Sequence, residues 1–173
     1  MKIETVVNVA LVGNPNTGKT SLFNQLTGLK QKVGNYPGIT VDKKQGKCKI
    51  SPYLTAEITD LPGTYSINPT TLDETIVLDT LLNKDNNSYP DLIIVVAEVE
   101  NLKRNLLLFS QIKDLQIPSI LVINMTDLME RKGISIDIEL LKSRLNSEVV
   151  FISSRKNIGI DILKKEIENY ANW

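Results

Sequence analysis

Histidine is absent from this 173-residue sequence, and Cys48 is its only cysteine. The lack of histidine excludes a serine–histidine–aspartate triad and a histidine-ligated zinc site, and a single cysteine cannot form an intrachain disulfide. The sequence also lacks net charge, because 20 basic residues balance 20 acidic ones. Electrostatic capture of nucleic acid or of an anionic membrane surface is therefore not expected, and any phosphate-binding site must be local.

Long hydrophobic runs are lacking as well. The longest, LIIVVA at residues 92–97, is far shorter than the roughly 20 apolar residues that span a bilayer. The apolar N-terminal segment is interrupted by Glu4 and Asn8, and no small-residue cleavage site follows it. A hydrophobic content of 42% fits a chain that folds as one soluble domain over residues 1–173.

Short β-rich runs alternate along the chain with helical patterns. Six such runs are present: VVNVALV, KCKIS, TAEITD, LIIVVA, SILVIN and EVVFIS. This alternation predicts an α/β fold, in which a mostly parallel six-stranded sheet carries helices on both faces. Residues 30–41 and 62–71 are rich in glycine, proline and asparagine, so we predict loops at both places.

The stretch GNPNTGKT at residues 13–20 matches the P-loop pattern G-x-x-x-x-G-K-[ST] and lies between a predicted strand and a predicted helix. Backbone N–H groups of such a loop converge on phosphate oxygens. We expect Lys19 to bridge the β- and γ-phosphates and the Thr20 hydroxyl to ligate Mg²⁺. The alternative is a plain glycine turn. The predicted phosphate-binding residues are Gly13, Asn14, Pro15, Asn16, Thr17, Gly18, Lys19, Thr20 and Ser21.

A D-x-x-G motif, DLPG, follows the run TAEIT. Asp60 at the end of that strand can reach Mg²⁺ through water, as the Walker-B carboxylate of P-loop enzymes does. Gly63 offers an N–H with no Cβ in the way, which suits contact with a γ-phosphate. Taken alone, D-x-x-G is also a common turn, and its position after a P-loop favours the nucleotide interpretation.

The stretch NMTD at residues 124–127 follows the run SILVI. Asp127 can accept hydrogen bonds from guanine N1–H and from the 2-amino group, while Asn124 ties the loop together. Adenine offers neither donor, so the site is predicted to select guanine. Met125 stands where most GTPases carry lysine, and its polarisable side chain is expected to lie on the base.

A serine-rich turn follows the last predicted strand. Ser153, Ser154 and Arg155 are expected to present backbone N–H groups to the guanine carbonyl. An ordinary helix cap would explain the serines equally well.

The order of these motifs resembles a small Ras-like G protein. The stretches GNPNTGKTSLFNQLTG, VGNYPGITV, DLPGTYS and NLKRNLL together resemble the cytosolic N-terminal G domain of bacterial ferrous iron transport protein B. The resemblance implies a Ras-like P-loop G domain with one antiparallel edge strand, and GTP hydrolysis with Mg²⁺ and K⁺.

In that family, the counterpart of Asn16 and two backbone carbonyls coordinate K⁺ beside the β- and γ-phosphates. The carbonyls here are those of Gly34 and Tyr36. A cation there neutralises charge that develops during phosphoryl transfer, which is the task of an arginine finger elsewhere. The alternative is that Asn16 only hydrogen-bonds its own loop.

Thr40 resembles the threonine that closes over Mg²⁺ and the γ-phosphate, and Gly38 lies in the same loop. The alternative for Thr40 is a β-branched residue that begins the next strand. The resemblance thus gives Thr20, Thr40 and Asp60 as the Mg²⁺ set, and Asn16, Lys19, Thr40 and Gly63 as the catalytic set.

Two residues depart from expectation. Thr64 occupies the place where many G proteins carry the glutamine that orients the attacking water, so we expect slow hydrolysis without K⁺. Glu98 stands where family members usually have aspartate, and the sequence offers no physical reason for the change.

The resemblance also implies partners. The family's full-length protein continues into a helical regulatory domain and a membrane region that passes Fe²⁺, and it sits at the cytoplasmic face of the bacterial inner membrane. We expect this chain to bind GTP and GDP, to contact those two regions, and neither to bind nucleic acid nor to enter the membrane. Three alternatives stay open: a GTP/GDP sensor with negligible catalysis, a ribosome-assembly GTPase, and, least favoured, a P-loop ATPase or small-molecule kinase.

Overall fold

The computed structural model describes residues 3–172. It contains one seven-stranded sheet. Its strands are β1 (Thr5–Gly13), β2 (Gln31–Asn35), β3 (Asp42–Ser51), β4 (Leu54–Asp60), β5 (Leu92–Glu98), β6 (Ser119–Asn124) and β7 (Val149–Phe151). Across the sheet they follow the order β2-β3-β4-β1-β5-β6-β7. The α/β class and the mostly parallel sheet are confirmed.

The strand count and the position of the antiparallel strand differ from the prediction. Strand β3 pairs antiparallel with both β2 and β4, while β4, β1, β5, β6 and β7 pair parallel to one another. The expected six-stranded sheet with one antiparallel edge strand has seven strands instead, and the antiparallel strand β3 is not at the edge because β2 lies outside it. Residues 31–35 sit within the predicted loop 30–41, and they form a strand because Gln31–Asn35 is hydrogen-bonded to the chain between Asp42 and Gly46.

Helices cover both faces of the sheet. They are α1 (Lys19–Thr27), α2 (Leu72–Leu82), α3 (Leu102–Asp114), α4 (Met129–Lys132), α5 (Ile138–Leu145) and α6 (Ile160–Ala171). Short 3₁₀ turns occur at Val99–Asn101 and Thr126–Leu128. No helix within residues 3–172 is both long enough and apolar enough to cross a bilayer.

The core lies in two layers that strand β5 separates. Leu92, Ile94 and Val96 point into the layer that holds Phe23 of α1. Ile93, Val95 and Ala97 point into the other layer, which holds helices α2 and α3. A strand alternates its side chains between faces, so burial on both sides requires an uninterrupted apolar run. This explains the continuous LIIVVA sequence.

Parallel pairing gathers four strand ends at one edge of the sheet. Strand β1 ends at Gly13, β4 at Asp60, β5 at Glu98 and β6 at Asn124. These strands run in the same direction, so the residues that follow their carboxyl ends lie side by side. The P-loop, the D-x-x-G segment and the N-x-x-D segment therefore meet there.

Candidate functional site

The P-loop connects β1 to α1 and lines a cleft of about 470 Å³, here called the phosphate cleft. Every predicted P-loop residue except Gly13 and Thr17 lines it. Those two support the loop: Gly13 ends β1, and the Thr17 hydroxyl donates to the Asn14 carbonyl at 3.0 Å. No side chain among the described residues caps the N-terminus of α1. Its N–H groups therefore remain available to an anion, which the helix dipole also favours.

Glycine is required at residue 18. Its φ of 82° lies in the left-handed region, and a Cβ there would come within 2.2 Å of the Asn124 side-chain nitrogen. The loop can therefore pass close to β6 only because this residue has no side chain. Asn16 also has a positive φ, 66°, which asparagine tolerates better than most residues.

A buried ion pair lies beside the cleft. The Lys19 ammonium contacts the Asp60 carboxylate, and their side chains are only 9% and 5% exposed. Two groups that were expected to serve phosphate and Mg²⁺ thus already lie together, 41 residues apart in sequence. A buried charge is stable only when it is compensated, so each neutralises the other in this conformation.

The segment after Asp60 packs directly against the P-loop. A Cβ on Gly63 would lie 3.3 Å from the Pro15 backbone nitrogen, and Gly63 itself lines the phosphate cleft. The Thr64 N–H donates to the Gly13 carbonyl at 3.0 Å, while the Thr64 hydroxyl donates to the Ser66 carbonyl at 2.6 Å. Thr64 is 2% exposed. Its hydroxyl is therefore occupied within its own segment and does not orient a water in the cleft.

A second cavity of about 220 Å³, here called the base pocket, adjoins the first. All six residues predicted to contact the base line it: Asn124, Met125, Asp127, Ser153, Ser154 and Arg155. Gly18 and Ser21 line both the base pocket and the phosphate cleft. The two cavities therefore meet at the start of α1.

Asn124 joins three segments around the base pocket. Its side-chain nitrogen donates to the Thr17 carbonyl at 2.9 Å and to the Ser154 hydroxyl at 3.0 Å. Its side-chain oxygen accepts from the Ser154 N–H at 3.0 Å. This fully hydrogen-bonded amide is only 1% exposed and fixes the P-loop relative to the serine-rich turn.

Sequence reasoning missed how Asp127 is oriented. The Ser153 hydroxyl donates to Asp127 Oδ1 at 2.9 Å, so this serine acts through its side chain rather than only through its backbone. Nothing in the spacing of two residues 26 positions apart indicates the contact. The bond fixes the carboxylate at the mouth of the base pocket, beside Met125.

Comparison with known proteins identifies the family. The family described as ferrous iron transport protein B matches residues 7–167. The chain belongs to this family. It is 44% identical over 157 residues to the Fe(2+) transporter FeoB of Leptospira biflexa and 42% identical over 168 residues to that of Escherichia coli K12. These alignments cover 91% and 95% of this chain but only 22% and 21% of the relatives, so the chain spans about a fifth of their length.

Solved structures of the family have the same fold. The G domain of the T. maritima FeoB iron transporter superposes with a TM-score of 0.88 at 42% identity, and covers 96% of this chain and 99% of that one. A GDP-bound mutant of S. thermophilus NFeoB gives a TM-score of 0.84 at 41% identity, covering 94% of this chain and 61% of that one. The fold of this chain is that of a FeoB G domain.

Residues 30–41, called here the first switch loop, do not line the phosphate cleft in the part of the chain that the structure describes. Gly34 lies in β2 opposite Lys43, and the Tyr36 carbonyl accepts from the Ile39 N–H at 3.2 Å. Thr40 is exposed. Gly34, Tyr36, Gly38 and Thr40 are all absent from the cleft lining in the part of the chain that the structure describes. The predicted K⁺ carbonyls and the Mg²⁺ threonine are thus not assembled with the P-loop in this conformation.

The Tyr36 side chain is buried at the end of β2. It is 8% exposed, and its hydroxyl has no hydrogen-bond partner among residues 3–172. Burial, aided by the nearby Asp60 charge, raises the pKa of Tyr36 to about 12. The phenol therefore stays protonated at physiological pH.

Glu98 has a structural explanation in this G domain. Its carboxylate accepts from the Glu100 N–H at 2.9 Å and from the Asn101 side-chain amide, and thereby caps the 3₁₀ turn that begins α3. Its own N–H donates to the Asn105 side-chain oxygen at 3.0 Å. An acidic residue at this position thus orders the turn between β5 and α3.

Proposed function

We propose that the chain binds and hydrolyses GTP, that Mg²⁺ is required and K⁺ stimulates the reaction, and that its switch loops control Fe²⁺ uptake by a longer protein. The observation that carries this proposal is the junction of the phosphate cleft and the base pocket at Gly18 and Ser21. A nucleotide can lie across that junction with its base beside Asp127 and its phosphates over the N-terminus of α1. GDP bound to the S. thermophilus relative supports this placement.

The residues around the phosphate cleft fit Mg²⁺. Thr20 lines the cleft, and Asp60 lies at its side in contact with Lys19. Hydroxyl and carboxylate oxygens are the ligands that Mg²⁺ prefers. Thr40 would join them once the first switch loop closes. When bound, the ion neutralises phosphate charge during transfer.

Lys19 and the P-loop backbone are the groups that act on the phosphates. Lys19 exchanges the Asp60 carboxylate for β- and γ-phosphate oxygens, while the N–H groups at the start of α1 and of Gly63 donate to phosphate oxygens. Asp60, no longer paired with Lys19, would then be free to help hold Mg²⁺. Since Thr64 does not face the cleft, it does not replace the water-orienting glutamine, and we expect slow intrinsic turnover.

The K⁺ site requires movement of residues 30–41. Asn16 is exposed and lines the phosphate cleft, so its side-chain oxygen is available to a cation. The Gly34 and Tyr36 carbonyls must approach it from the first switch loop. GTP that orders this loop would bring the three oxygens together, which links K⁺ binding to the triphosphate state.

The predicted K⁺ dependence is testable in Asn16 variants. Wild-type single-turnover hydrolysis should be roughly ten- to hundredfold faster in KCl than in NaCl, which is less than the about 10³–10⁵-fold effect of an arginine finger. Both Asn16→Ala and Asn16→Gly should lose the difference. The glycine variant is the matched control, because it removes the side chain while tolerating the positive φ of 66°. Equal wild-type rates in the two salts would contradict the cation role.

The role in iron transport is proposed from the family. The relatives are Fe(2+) transporters, and this chain corresponds to about a fifth of their length. We propose that it works at the cytoplasmic face of the bacterial membrane, in contact with a helical regulatory domain and a membrane region. No group of three or more histidine, cysteine or acidic side chains is placed to hold a metal ion within residues 3–172, so Fe²⁺ is treated as cargo of the whole protein.

A nucleotide sensor with negligible catalysis is the second candidate, and the occupied Thr64 hydroxyl favours it. Bound GTP that survives long incubation with Mg²⁺ and K⁺ would support the sensor. Conversion to GDP, absent from a Lys19 variant, would support the hydrolase.

A further inference from the structure

A small polar cavity of about 140 Å³ lies between the P-loop and α3. We call it the α3 cavity. Asn14 and Asn16 of the P-loop, Tyr65, Glu98 and Arg104 are among the residues that line it. It adjoins the phosphate cleft, with which it shares the P-loop residues, but its other walls have no part in the nucleotide site described above.

One residue that lines both the α3 cavity and the phosphate cleft has an unpaired side-chain acceptor in the described structure. Asn14 is 4% exposed, and its side-chain oxygen has no hydrogen-bond partner among the described residues. Buried polar atoms are nearly always hydrogen-bonded, because an unmatched one loses its bond to water without replacement. The Asn14 side-chain oxygen can therefore accept a hydrogen bond that the described residues do not donate in this conformation.

The cavity is also lined by a buried carboxyl group that has no ion-pair partner among the described side chains. Glu98 is 5% exposed and accepts two hydrogen bonds, from Glu100 and Asn101. A carboxylate has about four acceptor positions, so two remain. No basic side chain that the structure describes forms an ion pair with Glu98. Water can satisfy the Asn14 oxygen, but only a cation neutralises the carboxylate.

Arg104 is the basic residue at the same cavity. Its guanidinium lies 4.6 Å from the centre of the Tyr65 ring, and it forms no ion pair within the described part of the chain. Tyr65 is 48% exposed and follows Gly63 by two residues. The guanidinium is thus held by a ring on the segment that must respond to a γ-phosphate.

We propose that Arg104 is a positioning residue for GTP hydrolysis. In the present conformation Tyr65 holds its guanidinium at the wall of the α3 cavity. When the segment after Gly63 moves toward a γ-phosphate, the guanidinium leaves the ring, enters the cavity, and donates to the Glu98 carboxylate and the Asn14 side-chain oxygen. A planar group with five donors can satisfy both acceptors at once. The proposal rests on the proposed GTPase function.

The proposed movement of Arg104 would change the P-loop. Arg104 bound to Asn14 would fix residues 14–16, including the Asn16 side chain that is proposed to hold K⁺. Arg104 acts through Asn14 and touches no phosphate itself. The triphosphate state, sensed after Gly63, would thereby order the cation-binding side of the cleft.

A double-mutant cycle tests whether Arg104 and Glu98 meet only in the triphosphate state. The variants are Arg104→Gln, Glu98→Gln and the double variant of the 173-residue chain, titrated with GDP and with a non-hydrolysable GTP analogue. Each single variant should bind the analogue roughly tenfold more weakly, and the double variant no more weakly than either, as expected for coupled residues. GDP affinities should stay within about twofold of wild type. Arg104→Lys should restore part of the affinity for the analogue.

Hydrolysis gives the second measurement. In saturating GTP and KCl, Arg104→Gln should lower the single-turnover rate roughly tenfold and also reduce the KCl-to-NaCl ratio. A change in apparent affinity alone, with the rate and the ratio intact, would show that Arg104 does not position the P-loop.

Four further results would overturn the inference. If the effects of the two substitutions on analogue binding are additive, the Arg104 and Glu98 side chains do not meet. If the coupling energy is the same with GDP as with the analogue, the two side chains are paired in both nucleotide states. If Arg104→Gln behaves as wild type does, Arg104 has no positioning role, and the proposed GTPase function is unaffected. If the wild-type chain does not bind the analogue, both the positioning role and the proposed GTPase function are contradicted. If Glu98→Gln unfolds because Glu98 caps a turn, the cycle is repeated with Asn14→Ala and Arg104→Gln and judged only by the coupling in analogue binding, because Asn14 also lines the phosphate cleft and its loss is expected to weaken GDP binding.

Discussion

Asp127→Asn is expected to exchange guanine specificity for xanthine specificity. The carboxylate can accept from both guanine N1–H and the 2-amino group. Asparagine offers one acceptor and one donor, which match N1–H and the 2-carbonyl of xanthine. GDP affinity should fall at least about a hundredfold, since sites that hydrogen-bond a group reject analogues that cannot pair with it by up to about 10⁴–10⁵-fold. Xanthosine diphosphate should bind the variant better than wild type.

The Asp127→Asn substitution is expected to leave the orientation of the side chain unchanged. Asparagine keeps the side-chain oxygen that accepts from the Ser153 hydroxyl, so its orientation should be preserved. Asp114→Asn, at the exposed end of α3, is the matched control and should bind GDP as wild type does. Competition between GDP and xanthosine diphosphate gives the measurement. Unchanged GDP affinity in Asp127→Asn would place the base somewhere other than the base pocket.

Lys19→Met is expected to abolish measurable hydrolysis. Removing one preorganised group that stabilises transition-state charge costs about 10²–10³-fold in rate, and Lys19 is the only ammonium lining the phosphate cleft in the described structure. The variant also leaves Asp60 buried without its partner, which should lower the thermal stability of the nucleotide-free chain.

A double variant separates the two effects. Lys19→Met with Asp60→Asn removes the unpaired charge, so it should regain much of the lost melting temperature while remaining inactive. The measurements are thermal unfolding without nucleotide and single-turnover GTP hydrolysis. Lys19→Met that retains more than about a tenth of the wild-type rate would contradict the phosphate role.

Contiguous patterns predicted most of the fold and the segments that meet at the candidate site. The run LIIVVA became β5, with both faces buried, because its uninterrupted apolar residues have no other stable placement. The P-loop, DLPG and NMTD motifs met at one edge because parallel strands align their carboxyl ends. Spacing alone was sufficient in these cases, since each motif lies directly after its strand.

Features that depend on contacts between distant segments were not predictable. Strand β2 shows no apolar pattern, and it is a strand only because β3 offers it hydrogen bonds. Likewise, the contact of Ser153 with Asp127 and that of Arg104 with Tyr65 join residues whose spacing carries no signal. The position of the first switch loop could not be predicted either, because it depends on which conformation the domain adopts. Its sequence resembles a loop that closes over Mg²⁺, while the structure shows it paired away from the cleft.

The central claim is that the phosphate cleft and the base pocket form one guanine-nucleotide site. Calorimetric titration of the chain in excess Mg²⁺, with GDP, a non-hydrolysable GTP analogue and a matching ATP analogue, tests it most directly. The account predicts one saturable site per chain for both guanine nucleotides and no saturable heat for the adenine one. Absence of binding heat with GDP and the GTP analogue, or equal binding of the ATP analogue, would contradict it.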